Sequence, residues 1–313
     1  MIPYSRQNIN KNDVNAVVKT LKSNFLTQGG KVNQFERDLI KYTNAKYCLT
    51  LNSCTSALHI ACLSLGLKKN DIAWTSPISF VASANCAKYC GSKVDFVDIN
   101  LSTGLISIAA LKAKLILAKK NNKLPKVLIV VHFAGQSCEM DAIYDLSKKY
   151  KFKIIEDAAH SLGGEYKKNK IGSCKYSDIT VLSFHPVKSI TTGEGGAILT
   201  NSKKLFEVSQ ALRSHGITRK RENLNLKNKE NWYYEMKTLG YNYRMSDIAA
   251  SLGITQLKRL DKFVKKRNSI AIRYIKYLKN TDLSFLEILP SNKSSYHLFV
   301  IQFGKGEKQR NYF

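Results

Sequence analysis

Ile154-Ile155-Glu156-Asp157-Ala158-Ala159-His160-Ser161 is the stretch on which the reading of this chain turns. An apolar run that ends on two acids and a histidine is a buried strand, predicted over Lys153 to Glu156, that delivers polar side chains at its carboxyl end. Outward from it, similar runs predict strands over Tyr47 to Leu51, Ile72 to Thr75, Val94 to Asp98, Val127 to His132, Ile179 to Ser183 and Ala197 to Thr200. Helical patterns such as Ser56 to Leu65, Met140 to Tyr150 and Leu205 to Ser214 lie between them. Such alternation points to an α/β fold with a mostly parallel central sheet and helices on both faces, in which ligands gather at the carboxyl ends of the strands.

From Arg219 to Lys237 the sequence turns polar and reads as an exposed loop. Ser246 to Tyr277 then reads as a long helix or helix pair leaving the sheet, and Ser295 to Phe303 alternates like a strand. The expected division is a large domain over 1–245 and a smaller C-terminal domain over 246–313.

The 313 residues, 44% hydrophobic, suffice for a substantial core. No apolar run is long enough to cross a bilayer and the first dozen residues lack a signal-peptide core, so a cytoplasmic location is expected. Seven cysteines include no Cys-x-x-Cys pair and read as reduced thiols, with no metal site. The formal charge of +27 raises the question of nucleic acid. However, the lysines are spread through every segment and no helix-turn-helix, zinc-finger or RNA-binding signature accompanies them. Neither nucleic acid nor membrane is expected as a partner, while a polyanionic small substrate suits the charge.

Four segments carry chemistry. Asn52 to Leu58 follows a strand and opens a helix, which makes it either an anion site suited to phosphate or a plain helix cap built on Ser53 or Thr55. Asp157 reads either as a helix cap or as a carboxylate facing a pyridine nitrogen. Lys188 lies in a loop between strands and is followed by Gly193-Glu194-Gly195-Gly196, whose glycines would let backbone approach a ligand. Gly240-Tyr241-Asn242-Tyr243-Arg244 is a turn able to offer an amide and a guanidinium to an anion.

Together with Leu26-Thr27-Gln28-Gly29, Ser183-Phe184-His185 and Arg213-Ser214-His215-Gly216, these segments occur in the order in which they stand in the DegT/DnrJ/EryC1/StrS sugar aminotransferases. The chain resembles that family from Pro3 to about Phe303. The resemblance implies the aspartate-aminotransferase-like fold, pyridoxal 5'-phosphate as cofactor, and transfer of an amino group from L-glutamate to a nucleotide-linked keto sugar. Thr75 to Asn85 and Lys188 to Thr192 are most similar to members that aminate C4 of a UDP-linked 4-keto-6-deoxy-N-acetyl sugar. Members that make 4-amino-arabinose or 3-amino sugars are alternatives, as is a non-catalytic regulator of the same fold. Dehydratases of the family carry histidine where Lys188 stands.

The resemblance also implies roles. Lys188 would hold the cofactor and shuttle the proton, Asp157 would pair with its ring nitrogen and Phe80 would stack on its face. Thr55, Ser56 and Ser183 would hold its phosphate, with Asn242 reaching it from the neighbouring subunit of a homodimer that shares its active sites. Gln136 and His160 would be further anchors near the ring. Tyr4, Arg6, Thr27, Lys31, Arg213, His215 and His297 are candidates for the nucleotide sugar, whereas His59 and His132 read as core or helix-face residues. Members of the family continue past the position equivalent to Phe313, so the C-terminal domain is expected to be incomplete here.

Overall fold

The computed structural model describes residues 5–218, 224, 230 and 232–303. Helices α1 (Lys11–Leu21) and α2 (Gly30–Thr43) precede β1 (Tyr47–Leu51). Then follow α3 (Cys54–Ser64), β2 (Ile72–Thr75), α4 (Ala82–Tyr89), β3 (Lys93–Phe96), α5 (Ile108–Lys120), β4 (Val127–Val131), α6 (Met140–Tyr150) and β5 (Lys153–Asp157). Short strands β6 (Glu165–Tyr166) and β7 (Asn169–Lys170) lead to β8 (Ile179–Ser183), β9 (Gly196–Thr200), α7 (Lys203–Arg213), β10 (Ile217–Thr218) and β11 (Glu235–Met236). The described chain ends with α8 (Asp247–Leu257), α9 (Leu260–Leu278), β12 (Leu283–Phe285), β13 (Asn292–Lys293) and β14 (Ile301–Phe303). Helices α3, α5, α7 and α8 start alike: Ser53, Ser107, Ser202 and Ser246 each accept the backbone N–H three residues on.

The central sheet has seven strands in the order β1-β9-β8-β5-β4-β2-β3. The block from β8 to β3 is parallel, while β9 runs antiparallel to both β8 and β1. All strands but β9 therefore point the same way, and the loops after β1, β2, β4, β5 and β8 emerge at one edge beside the start of β9. Alternate residues bury on opposite faces. Val127 and Ile129 join Leu58 and Ile60 of α3 on one side; Leu128 and Val130 join Leu111, Leu115 and Ile143 of α5 and α6 on the other.

A third apolar cluster joins Phe35 and Leu39 of α2 to Leu182, Phe184 and Leu199, and to Ala250, Ile254 and Leu260 of α8 and α9. The expected helix pair after residue 246 is present, broken between Leu257 and Leu260, and it is packed onto the elements before it rather than standing clear. Asp247, which is buried, accepts from the backbone N–H of Gly29 and Lys31, each at 2.7 Å, and so ties the start of α8 to the start of α2.

Two sequence expectations need correction. Within Ser295–Phe303 only Ile301–Phe303 is a strand, because Ser295 and Leu298 spend their N–H groups on the carbonyls of Gly135 and Ala134, and Tyr296 has φ +47. The polar stretch Arg219–Lys237, described in part, contributes Glu235–Met236, which pairs with Ile217–Thr218.

Gly253 of α8 faces the Phe35 ring, and a Cβ there would lie 2.6 Å from Phe35 Cζ. The ring is fully buried and meets Phe184 at a centroid distance of 5.2 Å, so it has nowhere to retreat. Alanine would gain about 1 kcal/mol of helix propensity, but overpacking at such a site costs about 1–3 kcal/mol. Gly253→Ala is therefore expected to lower stability in urea unfolding, and Phe35→Leu added to it to restore part of the loss. A more stable Gly253→Ala protein would refute this packing.

Candidate functional site

At the edge where the parallel strands end lies a cavity of about 770 Å³. Ser53, Cys54 and Thr55 after β1, Ser79 and Phe80 after β2, Phe133 after β4, Asp157 and His160 at and beyond the end of β5, and Ser183 and Lys188 at and beyond the end of β8 all line it. His297, from the C-terminal segment, closes one side. The site is thus assembled from five strand ends, as a mostly parallel sheet with one reversed strand dictates.

Asp157 ends β5 with its side chain buried at the cavity. Its Oδ2 accepts from Ser83 Oγ at 2.6 Å and its Oδ1 accepts from the Ala159 N–H at 3.2 Å. Ser83 Oγ in turn lies 2.6 Å from Ser79 Oγ. The preceding Glu156 points to the opposite face, where His132 Nε2 sits 2.7 Å from its Oε2, and where Ser177 and Thr180 donate to Oε1. Burial works against that carboxylate, yet His132 and the two hydroxyls hold it below its usual range.

Lys188 is half-buried. Burial pushes its amine below the usual lysine value, against the opposing pull of Cys54 and Asp157. His160 and His297 meet with ring centroids 4.4 Å apart and planes inclined at 44°, and the Nδ1 of each is buried without a hydrogen-bond partner. Burial, aided by the Lys188 charge, lowers His160 to about 3; burial, with His160, Lys188 and Arg267, lowers His297 to about 2. Both rings are therefore neutral at physiological pH.

The candidates separate on inspection. Lys188, Asp157, His160, Thr55, Phe80, Ser183 and His297 meet in the one cavity. Ser56 lies just beneath, its hydroxyl 2.8 Å from that of Ser53, which also caps α3; capping and cavity lining thus coexist in this turn. Gln136 is not at the cavity. Its amide donates to the Glu287 carbonyl at 2.7 Å and accepts from the Leu289 N–H at 3.2 Å, so both ends of it hold the C-terminal segment. Arg213 is likewise engaged, donating to Glu36 Oε1 at 3.0 Å and to the Thr50 carbonyl at 2.8 Å.

Thr27 and Lys31 belong to the segment tied to Ser246 and Asp247, and the exposed His215 has φ +61; none of the three lines the cavity. Arg6 borders a neighbouring recess, and Tyr4 lies outside the described residues. Asn242 is exposed and away from this chain's own cavity. His132 and His59 are core residues, the latter among Tyr89, Tyr241 and Tyr243. At Gly196 the close approach is to the protein itself, since a Cβ there would lie 2.5 Å from the Ser53 carbonyl oxygen.

Ser83 and its support of Asp157 were missed in the sequence. The available signal was a pair of hydroxyls four residues apart, Ser79 and Ser83, directly after β2.

The family model described as the DegT/DnrJ/EryC1/StrS aminotransferase family matches residues 7–313. A protein of Campylobacter jejuni subsp. jejuni named UDP-4-amino-4,6-dideoxy-N-acetyl-beta-L-altrosamine transaminase is 46% identical over 302 residues, covering 96% of this chain and 76% of its own length. The structure of Helicobacter pylori PseC, described as an aminotransferase involved in the biosynthesis of pseudoaminic acid, superimposes with a TM-score of 0.86 at 34% identity, covering 97% of this chain and 78% of the other. A sugar aminotransferase of Streptococcus pneumoniae in its PLP-form gives a TM-score of 0.87 at 28% identity over 99% of this chain and 80% of its own.

The neutral histidine pair sets a pH dependence. Unfolded histidine titrates near pH 6.5, whereas His160 and His297 resist protonation when folded, so their contribution is intact above pH 6.5 and is lost as pH falls below it. Each can remove up to about 1.4 kcal/mol per pH unit there. Between pH 7.5 and 5.5 the stability measured by urea unfolding should therefore fall, and His297→Asn should fall by about 1 kcal/mol less. An identical loss in the variant would show that His297 is not held neutral.

Proposed function

Because the chain belongs to the DegT/DnrJ/EryC1/StrS aminotransferase family, we propose that it transfers the amino group of L-glutamate to the C4 ketone of a UDP-linked 4-keto-6-deoxy-N-acetyl-hexosamine. The product would enter pseudaminic-acid and surface-glycan biosynthesis. The protein is a pyridoxal-phosphate-dependent sugar aminotransferase; the sugar and the donor are the proposed part. The observation that carries this reading is the convergence of Lys188 and Asp157 on one cavity beside the amino-terminal turn of α3.

These residues fit the cofactor. Thr55 at the start of α3 and Ser183 at the end of β8 offer donors to a phosphate, the Ser83-braced Asp157 offers a fixed carboxylate to a ring nitrogen, and Phe80 offers an exposed aromatic face. The unpartnered Nδ1 of His160, buried at the same wall, is a polar atom that a bound ring substituent would satisfy. Pyridoxal phosphate, when bound, supplies a carbonyl that carries the amino group and a ring that spreads negative charge.

The protein supplies position and protons. Two donors keep Asp157 in place and leave it free to accept from a third, which fixes its charge against the ring nitrogen. Burial makes Lys188 easier to deprotonate, so its Nζ can take a proton from the donor carbon and return one at the acceptor carbon. The neutral His160 and His297 keep further positive charge away from Lys188. In the same reading the site belongs to a cytoplasmic homodimer, with Asn242 facing the partner's phosphate, a large domain over 1–245 and a smaller one from 246.

Two experiments test it. Assay of a panel of UDP-linked keto sugars with glutamate should give amination at C4 with parallel double-reciprocal lines, because the donor's product leaves first; Lys188→Ala should abolish turnover and Asp157→Asn should lose about 10²-fold or more. Intersecting lines, or a fully active Lys188→Ala enzyme, would refute the reaction. For the shared site, Lys188→Ala and Asn242→Asp chains refolded together should regain activity, since one site of each mixed dimer keeps both groups. Verified mixed dimers without activity would refute sharing.

A further inference from the structure

Lys188 borders two cavities. Besides the one already described, it lines a recess of about 300 Å³ together with Arg6, Phe263, Lys266 and Arg267. No acidic side chain borders this recess among the described residues.

Two other part-buried arginines have counter-charges: Arg213 meets Glu36 at 3.0 Å and Arg259 meets Asp13. Arg267 is different. It is half-buried at the back of the recess, its Nη1 donates to the carbonyls of Tyr296 at 3.2 Å and His297 at 3.0 Å, and no carboxylate reaches it among the described residues. Carbonyl oxygens occupy donors but do not neutralise charge, and burial alone lowers its pKa. A guanidinium drawn out of water without a counter-ion carries a desolvation penalty that an anion would offset. Its fork of five N–H donors suits an oxyanion, and Nη1 accounts for only part of them. Arg6 and Lys266, both exposed, add positive charge at the rim.

We propose that this recess holds the anionic arm of a substrate whose reacting end lies at Lys188. The arm is either a phosphate of the nucleotide sugar or the distal carboxylate of the amino donor, which share a delocalised oxyanion that Arg267 can receive through two parallel hydrogen bonds. This deepens the sugar-aminotransferase reading and rests on it. Arg267 also holds the backbone that presents His297 to the catalytic cavity, so a filled recess and a set His297 go together.

The test is calorimetric binding of UDP and, separately, of 2-oxoglutarate to the cofactor-loaded protein. The variants are Arg267→Met and the rim double variant Arg6→Ala with Lys266→Ala. One ligand should lose 10-fold or more in affinity in Arg267→Met and lose less, in the same direction, in the rim variant, while the other ligand is unaffected. Loss confined to UDP assigns a phosphate, and loss confined to 2-oxoglutarate assigns a carboxylate. Unchanged affinities in both variants would overturn the proposal, as would no measurable binding of either ligand to the unsubstituted protein. So would an equal loss of both ligands in Arg267→Met with a lowered Tm and a normal rim variant, which would mark Arg267 as a brace for residues 296–297. If UDP binds through Arg267 but no keto sugar is aminated, the proposed reaction fails and the recess stands.

Discussion

Where β9 passes the turn after β1, the two backbones come so close that a Cβ on Gly196 would lie 2.5 Å from the Ser53 carbonyl oxygen and 2.6 Å from the Cys54 nitrogen. That contact is possible only without a side chain, and the site is arranged around it. With β9 inserted antiparallel between β1 and β8, the loop that carries Lys188 must return along the same edge at which β1 ends. It thereby brings Lys188 to the turn of Ser53, Cys54 and Thr55. Were β9 parallel like its neighbours, its start would lie at the opposite edge and the lysine loop would have to cross the sheet.

The second determinant is the strict alternation of β5. Glu156 and Asp157 are adjacent in sequence and opposite in space, and each is satisfied on its own side: Glu156 by His132, Ser177 and Thr180, Asp157 by Ser83 and Ala159. The first is a buried ion pair whose histidine is fully withdrawn from solvent. The second leaves a carboxylate with spare acceptor capacity facing a cavity, which is the property a ring-nitrogen partner needs.

Much of this was legible in the sequence because it depends on local pattern. Tyr47–Leu51, Ile72–Thr75 and Ile179–Ser183 were bounded to the residue, and Asp157, Lys188, Thr55 and Ser183 follow their strands as the parallel architecture requires. What escaped depends on contacts distant in sequence. Gln136 carries an amide suited to many partners, and only the fold shows that residues 287–289, about 150 positions away, take both ends of it. Arg213 is a candidate for the nucleotide sugar by resemblance, and only the fold shows that Glu36, 177 positions away, pairs with it. Ser295–Phe303 has the period of a strand, yet most of it is drawn into the loops after β4 and β5, where no sheet edge is available to pair with it.

The turn at Gly240–Arg244 shows how a short segment can face solvent with one side chain while bracing the turn after β1 with its backbone. Tyr241 and Tyr243 stack with ring centroids 4.9 Å apart and pack against the buried His59, so the intervening Asn242 is turned outward. Their backbones are fixed as well: the Tyr241 N–H donates to the Leu212 carbonyl at 2.7 Å, the Tyr243 N–H to Arg213, and the Asn52 N–H to the Tyr243 carbonyl at 2.9 Å. Asn52 leads directly into Ser53 and Thr55. The outward amide of Asn242 and the turn at Ser53–Thr55 are therefore linked through the backbone of Tyr243. A displacement of Asn242 would reach Thr55 by the short route of the Tyr243 carbonyl and the Asn52 N–H.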